Sequence, residues 1–113
     1  MFPPLAITSG EPAGIGPDLC LQLAGHDQPL VVIADKSLLQ QRAVQLGINV
    51  ALQDYTPVAP TSPGSLSVLH VPLAHRVVAG TLDFANSPYV LETLRRALRG
   101  CSSGEFSGIV TAP

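Results

Sequence analysis

The sequence predicts an α/β fold, with a mainly parallel sheet flanked by helices. Short apolar segments typical of strands alternate with helix-like segments along the 113 residues. Residues 30–34 form an uninterrupted apolar run, as expected of a strand that is covered on both faces. Glycines and prolines separate these segments, where turns are expected. The strand–helix–strand–helix–strand order of the first half favours parallel pairing.

The first strand is predicted at residues 5–8 and the second at 30–34. Between them, the first helix should run from about Pro17 to Ala24. Proline suits a first helical position because its missing N–H would have no partner there. Gly25 is the expected stop of this helix.

The second helix is predicted to begin after Asp35, a favourable N-cap residue, and to end at Gly47. Its apolar face is expected to comprise Leu39, Ala43 and Leu46. A third strand is predicted at 48–52.

A proline-rich connection follows at residues 53–65, with Pro57, Pro60, Pro63 and Gly64. We expect it to lie on the surface. It does not read as a domain linker, because neither flank is long enough to fold separately. Residues 1–113 are therefore predicted to form one α/β portion without an internal boundary.

The second half is predicted to contain strands at 66–71 and 108–111. Residues 76–82 fit either a strand or a loop. A helix should begin after Asn86 or Ser87 with Pro88 as its first residue. Tyr89 should pack at the start of this helix. Its apolar positions recur at helical spacing: Val90, Leu91, Leu94, Ala97, Leu98 and Cys101.

Composition limits the range of partners. Only 12% of residues are charged and the net charge is −2, against roughly 25% charged residues in an average domain. Nucleic acid is therefore not an expected partner, and a partner subunit or further chain should cover part of the surface.

No apolar run reaches the roughly 18 residues of a membrane span. The start lacks the basic region of a signal peptide.

The two cysteines, Cys20 and Cys101, are predicted to be buried free thiols in a reducing cytoplasm. A disulfide between them is the alternative, but nothing in the sequence favours it. The last predicted strand ends at Thr111, and no helix follows to cover it. A parallel strand is normally followed by such a helix. We therefore expect this chain to be the N-terminal piece of a longer protein.

The most distinctive motif is the ten-residue stretch Ser9–Asp18, S-G-E-P-A-G-I-G-P-D. It joins a predicted strand to a helix, where α/β enzymes place phosphates and cofactors. Gly14 and Gly16 form G-x-G, but Leu19 stands where a dinucleotide fingerprint has its third glycine. No Walker-type Gly-Lys-Ser/Thr occurs either. A structural turn and a ligand loop both remain open from the residues alone.

Three polar residues could supply ligand groups: two within this motif and one at the end of the last predicted strand. Glu11 could contact a ribose or substrate hydroxyl, or it could hold N–H groups of the loop. Asp18 has a sufficient structural role at the start of a helix. Thr111 ends the last strand, at the edge where open sheets gather ligand groups, or is an ordinary strand-end residue. The candidates for a cofactor or substrate loop are Glu11, Gly14, Gly16 and Thr111.

The chain has three histidines: His26, His70 and His75. None has a partner at the spacing of a helical metal pair, so no metal ligand is assigned. Three arginines cluster on the last predicted helix: Arg95, Arg96 and Arg99. We expect a solvated face in which Glu92 pairs with Arg95 or Arg96. A local anion site is the alternative.

Three later segments extend the pattern of the Ser9–Asp18 stretch. Val78–Leu82 reads V-A-G-T-L, and Asn86–Leu94 reads N-x-x-Y-V-x-x-x-L. The end of the chain reads G-x-F…I-V-T-x-P over residues 104–113. In order and content these segments resemble the 4-hydroxythreonine-4-phosphate dehydrogenases of pyridoxal 5′-phosphate biosynthesis. One departure is Ser87, where that family usually has glycine, but serine can begin a helix equally well.

This resemblance implies part of a fold like that of the isocitrate and isopropylmalate dehydrogenases. It also implies an NAD(P)-dependent enzyme that oxidises and decarboxylates a small phosphorylated substrate, 4-phosphohydroxy-L-threonine, with a divalent metal (Zn, Mg or Co). Family members act as homodimers, and we expect a cytoplasmic location. The catalytic residues and metal ligands of the family are expected beyond Pro113, so none is assigned here.

Two alternatives stay open. Close relatives of this family oxidise other 4-phosphorylated sugar acids, such as threonate or erythronate phosphates. The chain could also be a non-catalytic α/β module that binds a partner or a small anion.

Overall fold

Five parallel strands form one sheet in the computed structural model, which describes residues 3–58 and 60–113. The strands are β1 (Leu5–Thr8), β2 (Leu30–Ala34), β3 (Ala51–Asp54), β4 (Ser65–His70) and β5 (Gly108–Thr111). Their order across the sheet is β3-β4-β2-β1-β5. The predicted α/β class with a parallel sheet is confirmed.

Helices cover both faces of this sheet. The α-helices of the described residues are α1 (Gly16–Leu21), α2 (Lys36–Leu46) and α3 (Ser87–Ser103). On one face, residues of α1 and α2 join a buried cluster: Ile7, Cys20, Leu21, Val32, Ala34, Leu39, Ala43, Leu66 and Val68. On the other face, α3 and the segments beside it pack a second cluster: Ala6, Val31, Ile33, Val71, Tyr89, Ala97 and Phe106. Alternate residues of β1 and β2 therefore pack into the clusters on opposite faces of the sheet.

The first helix is shorter than predicted. It ends at Leu21 rather than Ala24, because the N–H groups of Gln22 and Leu23 bond three residues back, to Leu19 and Cys20, and so tighten the last turn. Gly25 has the expected left-handed backbone, with φ of +78°, but it ends the following turn and not the helix.

Both ends of α2 lie as predicted. Asp35 Oδ1 accepts a hydrogen bond from the Leu38 N–H at 3.0 Å, and Gly47 ends the helix with φ of +68°. Two predictions for this region are wrong. Leu46, predicted to lie on the apolar face of α2, is 46% exposed, whereas the charged Arg42 is buried. The following strand starts at Ala51 and not at residue 48, because the N–H of Ile48 completes the helix cap on the carbonyl oxygen of Ala43.

Helix α3 starts at the predicted place. Asn86 is its N-cap and Pro88 lies in its first turn, but the Asn86 side chain makes no capping bond. A short 3₁₀ turn, Phe84–Asn86, precedes it and was not predicted. Tyr89 is buried at the start of α3, as predicted, whereas Leu91 and Leu98 are exposed.

The ion pairs of α3 differ in part from the prediction. Glu92 lies 3.9 Å from Arg95 and 3.6 Å from Arg99. Arg96 instead makes a two-pronged contact with Glu105, at 2.8 and 3.0 Å. This contact joins α3 to the connection that leads into β5. The side chain of Glu105 is also bound by the Tyr55 hydroxyl at 2.8 Å, and its pKa is lowered, chiefly by Arg96.

The remaining predicted segments lie close to their observed positions. Strand β4 starts one residue earlier than predicted and ends at His70. The segment 76–82, which fits a strand or a loop by sequence, contains a turn closed by an isolated bridge between Val78 and Thr81. The predictions on residues 1–2 and on Ala59 within the 53–65 connection lie outside the described residues. In the described ranges 3–58 and 60–113, every helix is too short or too polar to span a lipid bilayer.

Candidate functional site

The carboxyl ends of β1 and β5 lie side by side. Thr8 and Thr111 are register partners, and the N–H of Ala112 donates to the Thr8 carbonyl oxygen at 2.9 Å. Open α/β sheets bind ligands outside this edge. The four candidate residues, Glu11, Gly14, Gly16 and Thr111, all lie on this edge or in the loop that leaves it.

The loop Ser9–Gly16, called the glycine loop below, follows β1 and leads into α1. The Glu11 N–H donates to the carbonyl oxygen of Pro113 at 3.3 Å, so this loop is tied to the segment after β5. Gly10 has φ of +74°, and a Cβ there would overlap the carbonyl oxygen of Pro113. A Cβ on Gly16 would overlap the carbonyl oxygen of Ser9. Both glycines are thus required by the packing of the chain on itself.

Glu11 folds back over the glycine loop. Its Oε1 accepts a hydrogen bond from the Ala13 N–H at 3.2 Å. Gly14 lies close to it, because a Cβ on Gly14 would stand 3.3 Å from the Glu11 carbonyl oxygen. The half-buried carboxylate therefore holds the loop with one oxygen. Among residues 3–58 and 60–113, no hydrogen bond to its other oxygen is found.

Arg42 holds the glycine loop from the other side, and it was not predicted as a site residue. Its guanidinium donates to the carbonyl oxygens of Pro12 at 2.8 Å and Gly14 at 3.0 Å, and to Asp18 Oδ1 at 2.7 Å. Asp18 thus has a structural partner besides the helix end. The sequence offers one indication of this role. Arg42 follows Leu39 by three residues, so its charged side chain lies on the buried face of α2.

Tyr89 connects three elements beneath the same edge. Its hydroxyl accepts a hydrogen bond from the Asp35 N–H at 2.9 Å and lies 3.3 Å from Ser9 Oγ. Burial is the main cause that raises the pKa of Tyr89. Asp35 also accepts from the Leu73 N–H at 2.7 Å, so the connection after β4 is fixed too.

A second motif segment contacts the glycine loop directly. The N–H of Gly80, in the turn closed by Val78 and Thr81, donates to the Ala13 carbonyl oxygen at 2.8 Å. Two stretches that are distant in sequence therefore meet at the carboxyl edge of the sheet.

The histidines do not converge. Nδ1 of His26 accepts from the Gln28 N–H at 3.1 Å, and Nδ1 of His70 accepts from the Lys36 N–H at 3.0 Å. Within residues 3–58 and 60–113, no group of three or more histidine, cysteine, aspartate or glutamate side chains could hold a metal ion. The described residues therefore do not fit the divalent metal that the resemblance implies.

Comparisons with known proteins decide the family. The model of the family described as "Pyridoxal phosphate biosynthetic protein PdxA" matches residues 26–113. The chain belongs to the PdxA family. The matched residues include the Gly80 turn, α3 and β5, whereas the glycine loop lies before them.

Individual PdxA relatives extend this match over the glycine loop. The chain is 58% identical over 114 residues to a 4-hydroxythreonine-4-phosphate dehydrogenase of Vibrio cholerae, covering 96% of this chain and 34% of the relative. It is 58% identical over 113 residues to the protein of that name from Marinobacter nauticus, with the same coverage. The chain therefore spans about a third of the length of these curated relatives.

A crystal structure supports the fold of this PdxA-family chain. The 4-hydroxythreonine-4-phosphate dehydrogenase of Burkholderia phymatum superimposes with a TM-score of 0.89 at 21% identity. The match covers 100% of this chain and 37% of that structure. The parallel sheet with its flanking helices is thus the fold of the corresponding part of that protein.

Proposed function

We propose that this chain forms the first third of an NAD(P)-dependent, metal-assisted dehydrogenase that acts on 4-phosphohydroxy-L-threonine in pyridoxal 5′-phosphate (vitamin B6) biosynthesis. The observation that carries the proposal is the 58% identity to relatives named 4-hydroxythreonine-4-phosphate dehydrogenase. The meeting of the glycine loop, the Gly80 turn and the end of β5 at one sheet edge supports it, because such edges bind ligands in α/β enzymes.

In the proposed reaction, the secondary alcohol of the substrate is oxidised with loss of a hydride and a proton, and a bound nicotinamide dinucleotide would supply the hydride acceptor. The resulting 3-oxo acid loses carbon dioxide and leaves an amino-ketone phosphate. A bound divalent metal (Zn, Mg or Co) supplies Lewis-acid polarisation in such chemistry. Since the described residues offer no metal ligand set, we assign these ligands and the catalytic groups to the remaining two thirds of the protein.

We assign this chain's own residues a binding role. Glu11, Gly14 and Gly16 shape one wall of the dinucleotide or substrate cleft, and Thr111 lies beside it. Glu11 Oε1 is occupied by the Ala13 N–H, which leaves its second oxygen for a ribose or substrate hydroxyl. The exposed Thr111 adds a hydroxyl at the end of β5.

We further propose that the protein acts as a cytoplasmic homodimer. Several apolar side chains of the described residues are about half exposed: Leu91, Leu98 and Val110. Together with the low content of charged residues, they favour coverage by the rest of the protein or by a second subunit.

A hybrid enzyme tests the proposal. The segment of the Vibrio cholerae relative that matches this chain is replaced by this chain, and NADH or NADPH production is measured with 4-phosphohydroxy-L-threonine and added Zn²⁺, Mg²⁺ or Co²⁺. We expect turnover by the hybrid enzyme and none by the isolated chain.

The unmodified relative and an assay without the phosphorylated substrate are the controls. A hybrid enzyme with the circular dichroism and size of its parent but without turnover would refute the proposal. Turnover by the isolated chain would show that the catalytic groups were assigned to the wrong part of the protein.

A further inference from the structure

We propose that Arg42 is a positioning residue for the ligand hydroxyl that Glu11 binds, on the dinucleotide ribose or on the phosphorylated substrate, and that it acts by orienting Glu11 through the backbone of the glycine loop. The inference rests on the proposed function, but it concerns a side chain that no motif marks. Arg42 lies on α2, and its contacts with the site run through the backbone carbonyls of the glycine loop and through Asp18.

The buried guanidinium of Arg42 has acceptors for its hydrogen bonds and a carboxylate that balances its charge. The residue is 5% exposed, and its guanidinium donates to two backbone carbonyls of the glycine loop and to the carboxylate of Asp18. A buried charge of this kind is stable only when it is paired and hydrogen-bonded. The guanidinium therefore fixes the relative positions of Pro12, Gly14 and the first turn of α1.

Peptide geometry carries this constraint to Glu11. In a trans peptide the carbonyl and the following N–H point in opposite directions. Since the Pro12 carbonyl oxygen points to Arg42, the N–H of Ala13 points away from α2. That N–H is the donor to Glu11 Oε1. Arg42 thus sets the direction of the hydrogen bond that places the Glu11 carboxylate.

Lysine cannot reproduce this arrangement. Arginine offers five donors in a planar fork, and here NH1 and NH2 reach different carbonyls. A lysine ammonium keeps the charge for Asp18 but carries its donors on one atom. In an Arg42→Lys variant, the Pro12 peptide loses its restraint while the salt bridge to Asp18 can persist.

The test compares Arg42→Lys with Arg96→Lys in the hybrid enzyme. Arg96 is a matched control because it also makes a two-pronged contact, with Glu105, away from the glycine loop. If the loop is competent only about a tenth of the time, the apparent affinity falls about tenfold. We expect Arg42→Lys to raise the KM of the ligand that Glu11 binds, either the dinucleotide or 4-phosphohydroxy-L-threonine, about tenfold, with the KM of the other ligand and kcat within about threefold. Arg96→Lys should leave both KM values within about twofold.

A double variant tests the route through Glu11. If Arg42 acts by placing this carboxylate, the effects of Glu11→Gln and Arg42→Lys on the raised KM should not add. Arg42→Gln serves as the second variant if Arg42→Lys does not fold. Additive effects, an unchanged KM, or an equal rise in the Arg96 variant would overturn the inference.

Hydrogen–deuterium exchange separates this inference from the proposed function. In the Arg42→Lys hybrid we expect faster exchange of the Glu11–Gly16 amides than in the unsubstituted hybrid, with α3 unchanged. This readout needs no turnover, so an inactive hybrid would refute the proposed function while the role of Arg42 is still tested. Unchanged exchange of the loop would refute the positioning role in either case.

Discussion

Replacing Gly16 with alanine tests whether the glycine loop is shaped by its own packing. The added Cβ would overlap the Ser9 carbonyl oxygen and lie 2.9 Å from the Ser9 carbonyl carbon. Ser9 cannot move freely, because its N–H donates to the Ile33 carbonyl oxygen and its Oγ contacts the Tyr89 hydroxyl. Relief of the overlap must therefore disturb β1, α1 or both.

Gly47→Ala provides the matched control. Gly47 has φ of +68°, and a Cβ there would meet nothing within 4 Å. An alanine in the left-handed backbone conformation costs about 1–2 kcal/mol of stability. Alanine also restricts the unfolded chain more than glycine does, and this offsets about 0.4–1 kcal/mol of that cost. The net loss should be about 1 kcal/mol. Overpacking at Gly16 should cost about 3 kcal/mol, the upper end for a well-packed core.

The assay is urea unfolding of the chain at low micromolar concentration, followed by far-ultraviolet circular dichroism, since the sequence contains no tryptophan. We expect the free energy of unfolding to fall by about 2 kcal/mol more in Gly16→Ala than in Gly47→Ala. Equal losses, or a smaller loss for Gly16→Ala, would show that Ser9 yields easily and that the loop is not held as described.

Two predictions concern ionisable groups. Burial raises the pKa of the Cys20 thiol to about 12. Iodoacetamide at neutral pH should therefore not alkylate Cys20 until the protein is unfolded. Alkylation of Cys20 in the native protein, detected by mass spectrometry, would contradict this burial. Burial and the hydrogen bond to Glu105 raise the pKa of Tyr55 to about 12 from 10.0. The stability contributed by the neutral phenol should therefore be present below pH 10 and be lost as the pH rises towards 12. Urea unfolding should show wild type losing stability relative to Tyr55→Phe over that interval, and parallel curves would refute the shift.

The parts of the fold predicted correctly depend on local signals. β1, β2 and β5 have the predicted bounds because short apolar runs are bounded by turn residues. The limits of α2 follow from Asp35 and Gly47, whose capping geometry is local. The strand predicted from Ile48 starts too early because an apolar residue looks the same in a strand and in a helix cap, and only the bond to Ala43 distinguishes them.

The parts of the site that were missed depend on contacts between distant residues. Arg42 meets Pro12 across 30 positions, and Tyr89 meets Ser9 across 80. The residue type alone does not identify such partners. The glycine loop and Thr111 are recognisable as candidates from sequence, and the structure places them on one edge, but the side chains that hold that edge became visible only in three dimensions.

The turnover of the hybrid enzyme tests the proposed function most directly, because it asks whether this chain can replace the matching third of a 4-hydroxythreonine-4-phosphate dehydrogenase. We predict a kcat/KM for 4-phosphohydroxy-L-threonine within about tenfold of the Vibrio cholerae parent, a difference of about 1.4 kcal/mol in transition-state stabilisation. A folded hybrid that binds the dinucleotide but transfers no hydride from this substrate would contradict the proposed function.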